Sequence, residues 1–347
     1  MEKKWYEKNG TDGDVVISTR IRFARNLEEY PFPIRCSRDI RQKINEKVKD
    51  AVLNSNSVIS SRFSCINIDE LDPSGKVSLV ERHLVSPEFI SEDQGRCLLL
   101  LDDESVSVMI NEEDHIRLQV MQEGFELDKA YELASRLDTL LDERLKFAFS
   151  DKLGYLTQCP TNLGTGMRAS VMLHLPALQA TKAMRKISEN LSKLGLTIRG
   201  AFGEGSEPVA CMYQLSNQIT LGISEKTAIE NLKSITTQLV NQELNARQAL
   251  AKEITVQDKI YRSYGILQNA RLLSGEEALN HLSNIRMGIT TKLISSISLD
   301  TINRLIVETQ PATLIKLTGK PLDSAQRDKI RAEIVRKEFG IQASQKK

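Results

Sequence analysis

Five arginines and two glutamates, spread over four short segments, are the residue types that handle phosphate and guanidinium groups. Residues 156–172, LTQCPTNLGTGMRASVM, join a Cys-Pro turn, a Gly-X-Gly loop and an arginine to an apolar run that reads as a strand. Gly164 and Gly166 allow positive φ or close backbone approach to a ligand, and Arg168 then places a permanent cation at the loop's end. Phosphate suits such a loop; a tight turn before a core strand is the other reading. In residues 15–25, VVISTRIRFAR, Arg20 and Arg22 stand two apart. On a strand that spacing puts both guanidinium groups on one face and Ile21 on the other. Two adjacent cations repel unless an anion lies between them. Residues 106–117, VSVMINEEDHIR, alternate Val106, Val108 and Ile110 like a half-buried strand and end in Glu112, Glu113, Asp114, His115 and Arg117. Residues 197–207, TIRGAFGEGSE, deliver Arg199 from a strand and Glu204 from a glycine-flanked loop.

In this order the four segments resemble the phosphagen kinases, the ATP:guanidino phosphotransferases, over about residues 14–225, with CPTNLGTGMR and INEEDH as the most specific strings. The resemblance implies that Arg20, Arg22, Arg117, Arg168 and Arg199 hold the nucleotide phosphates. It extends nucleotide binding to Ser18, Thr19, Ile21, His83, Ala169, Ser170, Val171, Met172, Gly200, Ala201, Phe202, Gly203 and Glu204. Glu113 and Glu204 are the implied catalytic carboxylates that clamp the acceptor guanidinium. The chemistry needs these types. Phosphoryl transfer is mainly in-line positioning and charge neutralisation, which arginine forks supply without losing their proton. A guanidinium with a pKa above ~12 is a poor nucleophile until a carboxylate orients it and takes a proton, a role assigned to Glu113, with Glu204 as the second jaw. ATP is the implied nucleotide. Mg²⁺ is expected on its phosphates through water and phosphate oxygens, with no protein metal ligand. Cys159 occupies the family's reactive-cysteine position; it is either a thiol of depressed pKa near the arginines, open to oxidation, or a small buried hydrophobe. His115 and His174 read as structural residues rather than ligands.

Small-molecule members of the family begin with a helical domain that closes over the free substrate, whereas here the first phosphate-binding strand starts near Val15. A guanidinium slot open at the side, able to admit an arginine carried by a polypeptide, is the expectation. Met172 also departs from the histidine of creatine kinases. The departures point to the bacterial protein-arginine kinase branch, whose C-terminal domain carries an Arg-Asp-X-X-Arg-Ala motif, here Arg327, Asp328, Lys329, Ile330, Arg331 and Ala332. In that branch the motif binds phosphoarginine and couples binding to activity. Asp323 with Gln326 can cap a helix there, Ile330, Ile334 and Phe339 give its apolar side, and Gly340 is a stop signal. Arg327 and Arg331, one turn apart, would share a face. The implied function is ATP-dependent phosphorylation of protein arginines in the stress response, handing marked proteins to a Clp-type protease. A heat-shock repressor is an implied substrate, a zinc-binding activator protein an implied partner, and self-association as a homodimer or larger assembly is expected. A kinase of a free guanidino metabolite such as arginine, or a non-catalytic phosphoarginine reader, are the alternatives.

The elements that must position these residues follow from periodicity. Strands are expected at 96–101, 106–110, 169–175 and 211–220, and helices at 41–53 and 128–149, giving an α+β domain whose sheet the family makes antiparallel and helix-flanked. A long helix from Ser224 carries Ile229, Leu232, Ile235 and Leu239 on one stripe. Helices at 272–282, 291–296 and 299–307 and the capped C-terminal helix make a small all-helical domain. The expected domains are 1–254 and 255–347. With 347 residues, 40% apolar and 27% charged, there is material for two cores. A net charge of +1, from 47 basic and 46 acidic residues, lacks the footprint of direct nucleic-acid binding. Five cysteines without a Cys-X-X-Cys pair and an N-terminus without an apolar segment point to the reduced cytoplasm, and no run suggests a membrane span.

Overall fold

The computed structural model describes residues 3–55, 57–91, 95–200 and 208–340. Its strands are β1 (Val16–Arg25), β2 (Phe63–Asn67), β3 (Cys97–Leu101), β4 (Val106–Ile110), β5 (Ile116–Glu123), the short hairpin β6 (Phe149–Ser150) and β7 (Gly154–Tyr155), β8 (Met167–His174), β9 (Leu196–Gly200) and β10 (Met212–Asn217). Apart from the hairpin they form one sheet in the order β2-β3-β4-β5-β1-β8-β10-β9, with every pairing antiparallel. The helices accompanying the sheet are α1 (Arg38–Leu53), α2 (Pro73–Glu81), α3 (Pro87–Ser91), α4 (Leu127–Leu145), α5 (Pro176–Ala180), α6 (Met184–Lys193) and α7 (Glu225–Leu250). A second group follows: α8 (Ile254–Asn269), α9 (Gly275–Thr290), α10 (Leu299–Glu308), α11 (Pro311–Thr318) and α12 (Ser324–Gly340).

Strand parity decides what each face of the sheet carries. Ile21 and Phe23 of β1, Ile116, Leu118 and Val120 of β5, and Ala169 and Val171 of β8 point one way, into a core closed by Ile44 and Val48 of α1, Leu137 and Leu141 of α4, and Ile229, Leu232 and Leu239 of α7. The residues between them, Arg20, Arg22, Arg117, Gln119, Arg168 and Ser170, face the other way. One face is thus covered by apolar packing, whereas the other is polar over β5, β1 and β8 and apolar over β3 and β4, where Leu98, Leu100 and Met109 pack with Leu79 and Phe89.

Several helix ends differ from expectation. The helix foreseen to 149 stops at Leu145, because Lys146 turns to φ 49° and the Asp142 carboxylate takes the Phe147 N–H (2.9 Å). No helix forms over 291–296: Thr291 is the C-cap of α9, Lys292 adopts φ 63°, and Leu293 and Ile294 donate back to Gly288 O. The helix foreseen at 272–282 begins at Gly275 under a Ser274–Glu277 capping box and continues to Thr290.

The second core is not confined to the C-terminal helices. Ala210 and Met212 belong to it, and Ile17 packs against it. A buried polar network reinforces the junction. Arg247 of α7 bonds Glu243 (2.7 Å), Asp14 O (2.7 Å), His174 O (2.6 Å) and Thr290 Oγ1 (2.8 Å). Arg286 of α9 reaches Gly13 O (2.5 Å), and His174 meets Ser283 of α9 (2.8 Å).

Candidate active site

The polar face of the sheet is the floor of a cleft of ≈ 640 Å³, and Arg20, Arg22, Arg117, Arg168 and Arg199 all line it. Register explains the grouping: Arg22 of β1 lies directly opposite Arg168 of β8, Arg20 lies opposite Ser170, and Ala24 lies opposite Arg117 of β5. Arg199 enters from β9 opposite Gln214. Like charges directly across a sheet are destabilising. Burial, then Arg117 and Arg168, pull the Arg20 guanidinium down to about 10, and burial followed by Arg20, Arg117 and Arg168 pulls Arg22 well down. Arg168 is lowered by burial and by Arg199 and Arg117. Arg20 Nε donates to Ser170 Oγ (3.3 Å), and Arg22 Nε is buried without a hydrogen-bond partner among the described residues. Such a floor favours a multiply charged anion.

The Asn-Glu-Glu-Asp-His loop between β4 and β5 is fixed at both ends, so that its middle can project. Asn111, at φ 62°, donates to Arg41 O (3.0 Å) and Gly95 O (3.0 Å). Asp114, fully buried, accepts from Asn26 (2.6 Å) and the Gln158 N–H (2.8 Å), and burial pushes its carboxyl up. His115 Nδ1 accepts from the Leu27 N–H (3.0 Å), which makes Nε2 the protonated nitrogen that donates to Pro31 O (2.8 Å). Burial holds this imidazole down at about 4. Between these anchors, Glu112 is held by Ser86 and by Arg117 Nη1 (2.7 Å). Glu113 turns toward the cleft with its side chain 38% exposed, and Oε2 accepts from Arg117 (3.2 Å) and Asn162 (3.3 Å).

The Gly-X-Gly loop packs on protein as much as on the cleft. Gly164 sits at φ 107°, and a Cβ there would lie 2.2 Å from Thr220 O; one at Gly166, φ 60°, would lie 2.6 Å from Arg25 Nη1. Arg25 itself, on the helix-covered side of β1, pairs with Asp138 (2.7 Å), donates to Ala24 O and Thr165 O (each 3.0 Å), and stacks on Tyr155 with its Cζ 3.5 Å from the ring centre. The glycines therefore lock β8 against β1, and Arg168 arrives on the cleft floor as a consequence. Cys159 lines the cleft and its Sγ contacts Thr161 Oγ1 (3.1 Å).

The other expected site residues divide by face. Arg20, Arg22, Met172 and His83 line the cleft or the small apolar cavity (≈ 20 Å³) beside it, and Gly200 lies at the cleft edge. Burial and Arg20 hold His83 down at about 4. Ser18 shares the cleft parity but is buried. Thr19, Ile21, Ala169 and Val171, expected in nucleotide-binding stretches, correct differently: their side chains are fully buried on the opposite, helix-covered face, with Thr19 Oγ1 bonded to Gly124 O (2.7 Å). Alternation along a strand prevents an unbroken run of residues from facing one ligand. Ala201, Phe202, Gly203 and Glu204 lie outside the described residues. Sequence reasoning missed Glu112, Asn162, Gln119, Gln214 and Gln310. The first two stand beside or inside the specific strings, Gln119 shares parity with Arg117, and Gln310 had no local signal.

In α12, Asp323 and Gln326 exchange backbone-to-side-chain bonds (2.8 and 3.0 Å), and Phe339 is buried. The buried stripe, however, is Arg331, Val335 and Phe339, with Ile330 and Ile334 half-buried. Arg331 is 1% exposed and donates to Thr309 O (2.8 Å), Leu273 O (2.7 Å) and Asp328 (2.6 Å). Arg327 is half-buried and folds back on Leu322 O (3.0 Å), so the two arginines do not present one open face.

Among the described residues no group of three His, Cys, Asp or Glu could hold a metal, and no helix is long and apolar enough to cross a membrane. Comparison with known proteins places this geometry. Residues 43–246 match the model of the ATP:guanido phosphotransferase C-terminal catalytic domain, and residues 253–347 match the protein-arginine kinase McsB C-terminal domain. The chain is 47% identical to the protein-arginine kinase of Halothermothrix orenii over 96% of its own length and 95% of the relative's. It is 45% identical to that of Clostridium acetobutylicum over 96% and 98%. Among solved structures, lombricine kinase superposes with a TM-score of 0.60 at 25% identity, covering 68% of this chain and 67% of that one. The duplicated taurocyamine kinase from Schistosoma mansoni gives 0.61 at 27% identity, over 80% of this chain and 40% of that one.

Proposed function

The chain belongs to the ATP:guanido phosphotransferases and, within them, to the protein-arginine kinases, and on that premise we propose that it transfers the γ-phosphoryl group of ATP to arginine side chains of proteins. The observation that carries this reading is one cleft with five arginines on its floor and the partly exposed Glu113 carboxylate at one end. Triphosphate oxygens are held between Arg20, Arg22 and Arg168, and Arg117 bridges that cradle to Glu113. Mg²⁺ would enter with the nucleotide as MgATP and would supply charge neutralisation of the phosphates. Glu113 Oε2 is fixed by Arg117 and Asn162, which directs Oε1 to the acceptor. An acceptor guanidinium nitrogen gives its proton to that oxygen and bonds to Pγ. The bond from Pγ to the β–γ bridging oxygen breaks, and ADP leaves. Glu204 is the second carboxylate of the clamp in this proposal.

The proposal extends to two functional units, 1–254 for catalysis and 255–347 for regulation, with Arg327, Asp328, Lys329, Ile330, Arg331 and Ala332 as the phosphoarginine-responsive motif. Because Arg331 is already bonded to three acceptors, occupancy of that motif would have to rearrange those contacts. Cytoplasmic action on a heat-shock repressor, activation by a zinc-binding protein, delivery to a Clp-type protease, self-association and redox sensitivity at Cys159 complete the reading by family likeness. Incubation with labelled ATP and either an unfolded protein or free arginine tests it, with mass spectrometry under non-acidic conditions to preserve the acid-labile P–N bond. Phosphoarginine on the protein is the expected product; label on free arginine alone overturns the proposal.

A further inference from the structure

The wall of the nucleotide cleft is not drawn from the catalytic fold alone. Gln310, the residue before α11, lines the cleft in the company of Val80, Glu81 and His83. It is held from two directions. From the catalytic side, the Glu81 carboxylate accepts the backbone N–H groups of Ala312 (2.9 Å) and Thr313 (2.7 Å) and the Thr313 hydroxyl (2.8 Å), an anionic cap on the N-terminus of α11. From the helical side, Arg331 donates to Thr309 O (2.8 Å), the residue next to it. Gln310 Nε2 is engaged with Ile306 O (2.9 Å), which leaves the side-chain carbonyl Oε1 as its acceptor for a ligand.

The register of β1 says which part of a nucleotide reaches this wall. Ala24 pairs with Arg117, beside Glu113, and Ser18 pairs with Met172; the six residue steps from Ser18 to Ala24 span about 20 Å of strand. With the reacting phosphate at the Arg117 end, the phosphate chain runs over Arg22 and Arg20, and the nucleoside lies toward Met172 and His83. Gln310 stands at that end with His83.

We propose that the α10–α11 junction is the nucleoside wall of the cleft, with Gln310 Oε1 accepting a hydrogen bond from a ribose hydroxyl or a base amino group. The inference rests on the ATP-site reading above. It gives the C-terminal helices a direct part in nucleotide affinity, through a segment that Arg331 and Glu81 hold in place.

Calorimetric titration of the full-length chain tests it, with ADP, 2′-deoxy-ADP, inosine diphosphate and inorganic tripolyphosphate as probes. Gln310→Ala and Gln310→Met, each checked for an unchanged thermal midpoint without ligand, should bind ADP about three- to tenfold more weakly and tripolyphosphate as the unaltered protein does. If the ribose is the donor, the difference between variant and unaltered protein shrinks with 2′-deoxy-ADP; if the amino group is, it shrinks with inosine diphosphate. Unchanged ADP affinity in both variants, or an equal loss for tripolyphosphate, overturns the inference. Failure of the unaltered protein to bind ADP would instead strike the ATP-site reading, so the two failures are distinguishable.

Discussion

Two groups of arginines in this molecule are removed from solvent for opposite ends. Arg25, Arg247, Arg286 and Arg331 are each at most 1% exposed and donate to carbonyl and carboxylate oxygens such as Asp138, Glu243, Gly13 O and Thr309 O, with Arg286 Nε the one of their donors buried without a partner among the described residues. Arg20, Arg22 and Arg168 are half-buried on the cleft floor, where their nearest charged neighbours include one another. The first group joins elements distant in sequence, β1 to α4, α7 to β8, α9 to the segment before β1. On the function proposed above, the second group is the one that nucleotide phosphates neutralise. Burial alone does not separate the two groups; what faces the guanidinium groups does, carbonyl and carboxylate oxygens in the first and neighbouring cations in the second.

Removing one arginine from each group should therefore change stability with different magnitude and sign. Arg247→Met strands the buried Glu243 carboxylate and should cost about 3–5 kcal/mol, read by denaturant unfolding. Arg22→Met removes one of the facing cations and should leave the ligand-free protein equally stable or up to about 1 kcal/mol more stable, while nucleotide binding weakens. A loss from Arg22→Met as large as that from Arg247→Met would erase the distinction.

Glu113→Gln tests the reactive end of the cleft rather than its frame. The variant should lose at least ~100-fold in phosphoryl transfer, the scale of a positioned general base, with its thermal midpoint little changed because the side chain is partly exposed. Unchanged transfer would remove Glu113 from the chemistry and leave only the arginine cradle.

These two groups were unequally legible in the sequence. Arg20 and Arg22 announce themselves by a two-residue spacing in a β-branched run, and Glu113 and Arg168 stand in specific strings. The α+β character of the first part and the helical C-terminal region were readable from period 2 giving way to period 3.6, whereas the antiparallel, helix-flanked sheet was implied by the family resemblance. Arg25, only three residues beyond Arg22, carries no such mark, because its role depends on Asp138 and Tyr155 being brought to it by the fold. Gln310 is hidden for the same reason: its place in the cleft comes from α11 docking on Glu81, more than two hundred positions earlier. Residues 291–296 failed as a helix because a left-handed residue after the C-cap is a backbone outcome that a short polar-apolar pattern does not encode.

Arg331 sharpens the comparison, since its motif would place it with the ligand-binding group and its contacts place it with the structural one. Arg331→Lys keeps the charge but cannot serve three separated acceptors with one ammonium, so a loss of about 1–3 kcal/mol is expected in unfolding. No loss would mean that those bonds are readily given up, as a phosphate-responsive arginine requires.

The smallest effect expected is a pH dependence beside Glu113. Burial keeps His115 neutral in the fold, and because Nδ1 accepts the Leu27 N–H, a second proton would also set two N–H groups against each other. Its folded pKa, about 4, lies below the ordinary 6.5, so the unfolded chain binds the extra proton first. Stability from this group is complete above pH 6.5 and falls as pH drops toward 4, by about 1 kcal/mol between pH 7 and 5.5. Asp114, pushed up by burial, acts with the opposite sign, and His83 and His174 act with the same sign as His115. The measurement is therefore a difference: unfolding free energy of the unaltered chain against His115→Gln at both pH values. The slope should be shallower in the variant by about that amount. Equal slopes would mean that this imidazole accepts its proton in the fold, and the Leu27 contact would then not be what fixes the loop carrying Glu113.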